Sequence, residues 1–238
     1  MLLRLQNSLA SMREMMRRQE QVANNLANVN TVGYKRDRTF TEALDERLDA
    51  DGLPHSTRVA AQWADFAQGA LDATGNPLDA ALEGEGFFVL RDEASGAVRF
   101  SRAGRFTRDD QGTLRTPAGY LVEGEAGPIT LPPGPVEIDA DGTVRAGGVR
   151  AGRLRVVTFG DPAVLTRIDD AAFAAPEELA VEAEAPRVRQ GMLEGSNVEP
   201  MAEMADMIGF FRQFEAQQKM LRSTDELLAA ATRDLGKF

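Results

Sequence analysis

The chain has 238 residues, a formal net charge of -10, no cysteine and hydrophobic residues at 43%. That length supports one sizeable domain with appendages, the missing thiols exclude disulfides and cysteine catalysis, and no apolar run is long enough to cross a membrane as a helix. Charge is uneven: residues 1–38 hold seven Lys/Arg against three Asp/Glu, hence +4, residues 197–238 hold five against seven, hence -2, and the middle carries the remaining -12. An acidic middle argues against nucleic acid as a partner. Arg4, Gln6 and Asn7 interrupt any leader-like apolar run, so a chain that leaves the cytoplasm is expected to do so without a cleaved Sec-type leader.

In chain order, apolar or small residues first recur at Leu5, Leu9, Met12, Met16, Ala23 and Leu26, with Gln19 in the one polar slot. That spacing of three and four predicts a helix with a thin heptad stripe. Such a stripe buries too little to offset the entropy of ordering the helix, so it needs partners. The helix is expected to stop in the cluster Asn24, Asn25, Asn28 and Asn30, whose amides compete for backbone hydrogen bonds, and Gly33 supplies a turn. Four amides interleaved with Ala23, Leu26, Ala27 and Val29 look built to pair across a packed surface, each lost partner costing about 1–3 kcal/mol.

Residues 37–76 read as a partly extended connector with a short helical piece around Phe40–Leu48. The single histidine, His55, has no second ligand or nucleophile placed with it, so no metal or catalytic role is expected there. Trp63 and Phe66 are either an interaction spot or the connector's anchor to the following domain, with anchoring the favoured reading.

From about residue 77 short apolar runs alternate with glycine and proline, and residues 84–195 hold 16 of the 22 glycines. Strands are predicted at 87–91, 98–101, 105–108, 113–116, 120–123, 136–138, 143–146, 153–159 and 187–192, separated by turns such as Ser95-Gly96 and Asp141-Gly142. Gly84 and Gly86 lack the third glycine of a dinucleotide fingerprint and are structural turn residues that admit Phe87 and Phe88 to the sheet. Asp139-Ala140-Asp141-Gly142 fails the calcium-loop pattern at its sixth and twelfth positions, and Asp109-Asp110 reads as a turn rather than an acid pair. No catalytic constellation, metal set or cofactor site emerges.

After E-G-S-N-V-E-P a second heptad series runs through Met207, Phe210, Phe214, Gln217, Leu221, Thr224, Leu228, Ala231 and Leu235, flanked by Met204, Ile208 and Phe211. Pro200 suits the first helical position. The expected fold class is therefore α+β: long N- and C-terminal helices pairing in a coiled-coil-like core, around a central all-β domain of short meandering strands. The expected divisions are 1–36, 37–76, 77–196 and 197–238. The expected subunit interface comprises Leu5, Leu9, Met12, Met16, Ala23, Asn24, Asn25, Leu26, Asn28, Asn30, Met207, Phe210, Phe214, Gln217, Leu221 and Leu228.

Three motifs in order carry a resemblance to a known family. A-N-N-L-A-N-V-N-T-V-G-Y-K-R (23–36) resembles the N-terminal hallmark of the bacterial flagellar rod and hook proteins, the axial family of the basal body. N-P-L-D-A-A-L-E-G-E-G-F-F-V-L (76–90), F-S-R-A-G-R-F-T-R-D-D-Q-G-T-L (100–114) and P-A-G-Y-L-V-E-G (117–124) look like its β-domain signature, and L-E-G-S-N-V-E-P-M-A-E-M (193–204) like the start of its C-terminal helix. G-P-I-T-L-P-P-G (127–134) and A-G-R-L-R-V-V-T-F (151–159) look most like the proximal-rod branch, with the distal-rod branch a near relative. The resemblance implies a structural rod subunit that polymerises helically through its terminal helices and transmits torque from motor to hook. Its partners would be copies of itself, other flagellar rod proteins and the flagellar type III export apparatus, without stable membrane insertion. Its place would be the periplasm-spanning rod. Competing readings are a soluble coiled-coil adaptor or chaperone, and a cell-wall-acting enzyme, for which no acid pair or metal set is present.

Overall fold

A computed structural model describes residues 2–43, 47–48, 54–55 and 58–235, with side chains described for residues 12–39, 63–220, 222 and 223. The chain divides into two compact units, residues 1–27 with 199–238, and residues 28–198. The larger unit is built almost entirely from short antiparallel strands.

Its spine is the strand Phe87–Arg91, which pairs along one edge with Val98–Ser101 in the register Val89↔Phe100. Its other edge is shared between Leu121–Gly124, through Val122↔Leu90, and Val156–Phe159, through Val156↔Phe88. Strands outside these complete one sheet that ends in the two-residue strands Thr166–Arg167 and Thr107–Arg108. Four consecutive apolar residues, Phe87, Phe88, Val89 and Leu90, are all buried because both faces of this strand are covered. Phe88 and Leu90 join a core with Phe106, Leu114, Val122 and Val144, while Phe87 and Val89 join a second core with Phe100, Val157 and Phe173. A run without alternation is what such double burial requires.

A three-stranded meander, Val136–Ile138, Thr143–Ala146 and Val149–Arg153, packs into the first core. Its first turn is the D-A-D-G segment, where Thr143 donates from both its backbone N and its hydroxyl to the Asp141 carboxylate. Two further pairings, Ala80–Leu82 with Val188–Gln190 and Leu71–Ala73 with Met192–Glu194, bind the early and late parts of the unit together.

The connector departs from expectation. Among the described residues of Phe40–Leu48 no helical piece is present; the strand Asp37–Ala43 instead pairs antiparallel with Arg58–Ala64 from Asp37↔Ala64 to Ala43↔Arg58. Thr39, Phe40 and Thr41 favour an extended chain once a partner strand is supplied. His55 lies in the strand Pro54–His55, paired with Arg47–Leu48, and its side chain falls outside the described residues. Phe66 is an anchor, edge-to-face with Phe87 at 5.3 Å and with Phe173 at 5.2 Å, whereas Trp63 stays at the surface.

The smaller unit holds the helices α1 (Leu2–Ala27) and α2 (Pro200–Leu235), which pack on each other. The expected coiled-coil-like core is nonetheless wrong for the described residues. Met16, placed on the seam, is 51% exposed and Ala23 is exposed, while Val22 and Asn25 are buried, so the inward face of α1 is rotated away from the expected stripe. Glu203 on α2 is fully buried where a coiled coil would put an apolar knob. Asn25 donates from Nδ2 to Glu203 Oε2 at 3.4 Å. A stripe containing Gln19 and Ala23 offers little apolar surface, and this buried hydrogen bond competes with it. Among the described residues no helix is long and apolar enough to cross a membrane.

Replacing Phe88 by alanine should destabilise the β unit by about 3–5 kcal/mol, because a ring with no exposure leaves a cavity between three strands; denaturant unfolding measures it. Acid should act through the turns. The Ser95 hydroxyl lowers the Asp92 carboxyl, Arg115 lowers Asp109, and the Thr143 backbone N–H lowers Asp141. Each folded pKa lies below its unfolded value, so the stability they add is present above the ordinary aspartate value of 3.8 and is lost as pH falls beneath it. Arg189 and Arg115 likewise lower Glu83 and Glu93, whose ordinary value is 4.5, so thermal melts stepped downward from neutral pH should show a fall that starts near that value and steepens below 3.8.

Candidate functional site

Where the N-terminal motif enters the β unit, the chain turns at Gly33 (φ +70°), and a Cβ there would sit 2.3 Å from the Ala103 N, so only glycine fits. The Gly33 N–H donates to the Glu194 carbonyl at 2.7 Å. The turn delivers Lys35 into the interior, where its ammonium donates to Glu194 Oε1 at 2.5 Å and to the Ala67 carbonyl at 2.8 Å. Arg102 donates to Glu194 Oε2 at 3.4 Å and to the Gly84 carbonyl at 2.7 Å, and the Gly69 N–H donates to Glu194 Oε1 at 3.0 Å. Lys35, Arg102 and Glu194 are all buried.

Two cations thus share one carboxylate away from water. Burial pushes the Lys35 ammonium below the usual lysine range, and the Glu194 charge opposes that fall. Burial likewise lowers the Arg102 guanidinium, again opposed by Glu194. Around the knot, the Asn197 side chain accepts from the Arg36 N–H at 2.7 Å and donates to the Asp65 and Ala67 carbonyls at 2.7 and 3.0 Å. Arg167 pairs with Asp37 at 2.9 Å and lies 4.5 Å from the Tyr34 ring centre. Residues 33–37, 65–69 and 194–197 are locked together by these bonds. The arrangement holds chains in place and contains no nucleophile poised beside a base.

The sequence-predicted interface residues are distributed differently. Asn25 and Asn28 are buried, Met12 and Leu26 are half-buried, and Met16, Ala23, Asn24 and Asn30 are exposed. Leu5 and Leu9 lie in α1, and Leu221 and Leu228 in α2, with side chains outside the described residues. Met207, Phe210, Phe214 and Gln217 are half-buried. Of the turn glycines, Gly86 (φ +137°) would bring a Cβ within 2.9 Å of Val156, and Gly84 (φ +96°) donates its N–H to the Gln68 side chain. The flanking residues of α2 prove to be the surface feature: Met201, Met204, Ile208 and Phe211 recur at intervals of three, four and three, and all are exposed, Met201 at 77% and Phe211 at 53%. The buried cluster of Lys35, Arg102 and Glu194, with Asn197 beside it, was not among the residues the sequence singled out.

Family models match in three places. Residues 12–35 match the flagella basal body rod protein model, residues 81–146 the flagellar hook protein FlgE/F/G D1 domain, and residues 189–234 the flagellar basal body rod FlgEFG protein C-terminal model. The chain is 35% identical over 225 residues to the flagellar basal-body rod protein FlgF of Caulobacter vibrioides, covering 91% of each chain. It is 38% identical over 224 residues to FlgF of Salmonella typhimurium, covering 86% of each. It is 31% identical over 247 residues to the flagellar basal-body rod protein FlgG of Agrobacterium fabrum, covering 91% of this chain and 93% of that one.

Replacing Glu194 by glutamine should cost about 3–5 kcal/mol, because it leaves two buried cations without an anion. Replacing Lys35 by methionine should cost less, since Arg102 and Glu194 then balance. Urea unfolding of the two variants side by side checks the order.

Proposed function

The chain belongs to the flagellar basal-body rod protein family, as a structural subunit of the rod most like the proximal-rod FlgF proteins rather than an enzyme, and from that premise we propose that it assembles through the apolar surface of its terminal helices. The observation that carries this reading is the stripe Met201, Met204, Ile208 and Phe211, four large apolar side chains left in water along one face of α2. Full burial of such side chains is worth about 1.5–3 kcal/mol each. Association of two proteins costs an estimated 4–15 kcal/mol before any contact is rewarded. One such stripe therefore roughly cancels the cost of a single pairing, and a subunit that touches several neighbours at once passes it. Growth at the end of an existing stack is favoured over dimers in dilute solution.

In this reading the partners are copies of the chain and other rod proteins, joined by unlike faces so that the contacts build an open helical structure. The N-terminal residues Met12, Met16, Asn24 and Leu26 and the α2 residues Met207, Phe210, Phe214 and Gln217 belong to the same assembly surface, with Leu5, Leu9, Leu221 and Leu228 continuing it along the helices. Delivery by the flagellar type III export apparatus and torque transmission from motor to hook complete the proposal. The names of the relatives, which place those proteins in the basal-body rod, support the rod assembly.

The test is Phe211→Asp beside Phe214→Asp. Phe211 is exposed, so its replacement should leave the unfolding midpoint of the chain within about 0.5 kcal/mol while abolishing rod formation seen by electron microscopy. Phe214 is half-buried, so its replacement should block assembly and also loosen the helices. Normal rods from Phe211→Asp would defeat the proposal.

A further inference from the structure

The β unit carries an aromatic cavity that the α2 stripe does not explain. It has a volume of about 490 Å³ and is walled by Trp63, Phe66, Phe87 and Phe159, with Asp65, Glu85 and Arg102 also lining it. Asp65 is paired with Arg38 at 2.9 Å and Arg102 is buried against Glu194, which leaves Glu85 as the exposed charge of the lining. Phe87 meets Phe66 and Phe159 edge-to-face at 5.3 and 5.9 Å, which fixes the inner wall. Trp63 is 40% exposed, and Glu85 is exposed as well. A ligand suited to this opening is apolar where it meets the rings and positive where it meets Glu85.

The chain itself contains such an element. Met16 is 51% exposed on α1 and stands among Arg13 and Arg17, both exposed and one turn apart. Over four residues a helix rises about 6 Å, so the two guanidinium groups flank a single inserted side chain. A thioether packs well against aromatic rings, and arginine stacks on tryptophan faces. The α2 stripe is the wrong match, because Glu199 and Asp206 accompany it and would face Glu85, whereas the acid beside Met16 on α1, Glu20, is outnumbered by Arg13 and Arg17. The wider charge balance agrees: residues 1–38 carry +4 and the middle of the chain -12.

We propose that the Trp63 cavity of one subunit receives the Arg13–Met16–Arg17 face of a second copy of this chain. The inference rests on the assembly reading above and deepens it by naming a contact. It joins a helix of one copy to the β unit of the next, two unlike surfaces, so each copy keeps one of each to offer and the series stays open.

Trp63 is the single tryptophan of the chain, so its emission reports this cavity alone. The full chain is titrated in concentration while emission and light scattering are recorded together. The expected result is a shift to shorter wavelength that grows as scattering grows. Arg17→Glu and Glu85→Arg should each lose most of that shift, and an equal mixture of the two variants should regain it, because every junction then pairs opposite charges. Scattering that rises while emission stays fixed overturns this contact and leaves the assembly reading standing. Recovery only when both changes sit in one chain overturns it too, since the contact would then be internal. If nothing assembles under any condition, the assembly reading fails and this contact with it.

Discussion

One carboxylate, Glu194, holds two cations and three stretches of chain in a place without water. Its oxygens accept from Lys35, Arg102 and the Gly69 backbone, so the segment that follows α1, the segment that follows the Asp37–Ala64 hairpin and the segment that precedes α2 all converge on it. A buried pair of this kind repays its desolvation only when its geometry is good and its remaining donors are satisfied. Here the Ala67 and Gly84 carbonyls take up protons that Glu194 does not reach, while the buried Arg102 Nε is left without an acceptor. The knot is better understood as a device for fixing position than as a source of stability.

Position matters because the rest of the β unit is thin. Its cores lie on the two faces of a single five-residue strand, Phe87–Arg91, and most of its other strands run two to five residues. Short strands hold their register through side chains on both faces and through turns whose carboxylates bond their own backbone, as Asp109 does with Gln111 and Thr113. A slip anywhere would move apolar residues into water. Gly104, whose Cβ would meet the Ala80 carbonyl at 1.6 Å, shows how close the layers come.

Local signals in the sequence were readable where physics is local. Glycine and aspartate turns and two-sided apolar runs placed the strands at Phe87–Arg91, Val98–Ser101, Val136–Ile138 and Thr143–Ala146 with these limits. The hairpin at Asp37–Ala64 was not legible, since a strand at Asp37 depends on a partner some twenty residues away. The helices misled for a related reason: periodicity reports a stripe, but which face turns inward was decided by Asn25 meeting Glu203. The buried knot left a fainter trace. Lys35, Arg102 and Glu194 each sit in a glycine-punctuated motif, Gly33-Tyr34-Lys35, Arg102-Ala103-Gly104 and Leu193-Glu194-Gly195, and nothing in a linear string says that three such motifs meet.

Two of the sheet's outermost strands, Thr107–Arg108 and Thr166–Arg167, are two residues long and each ends in arginine. Unpaired backbone donors and acceptors invite a passing chain to add itself, and a brief, charged margin gives it nowhere to settle. A subunit packed among other rod proteins must tolerate extreme crowding without its sheets fusing edge to edge. These blunt margins give a neighbouring strand little to pair with.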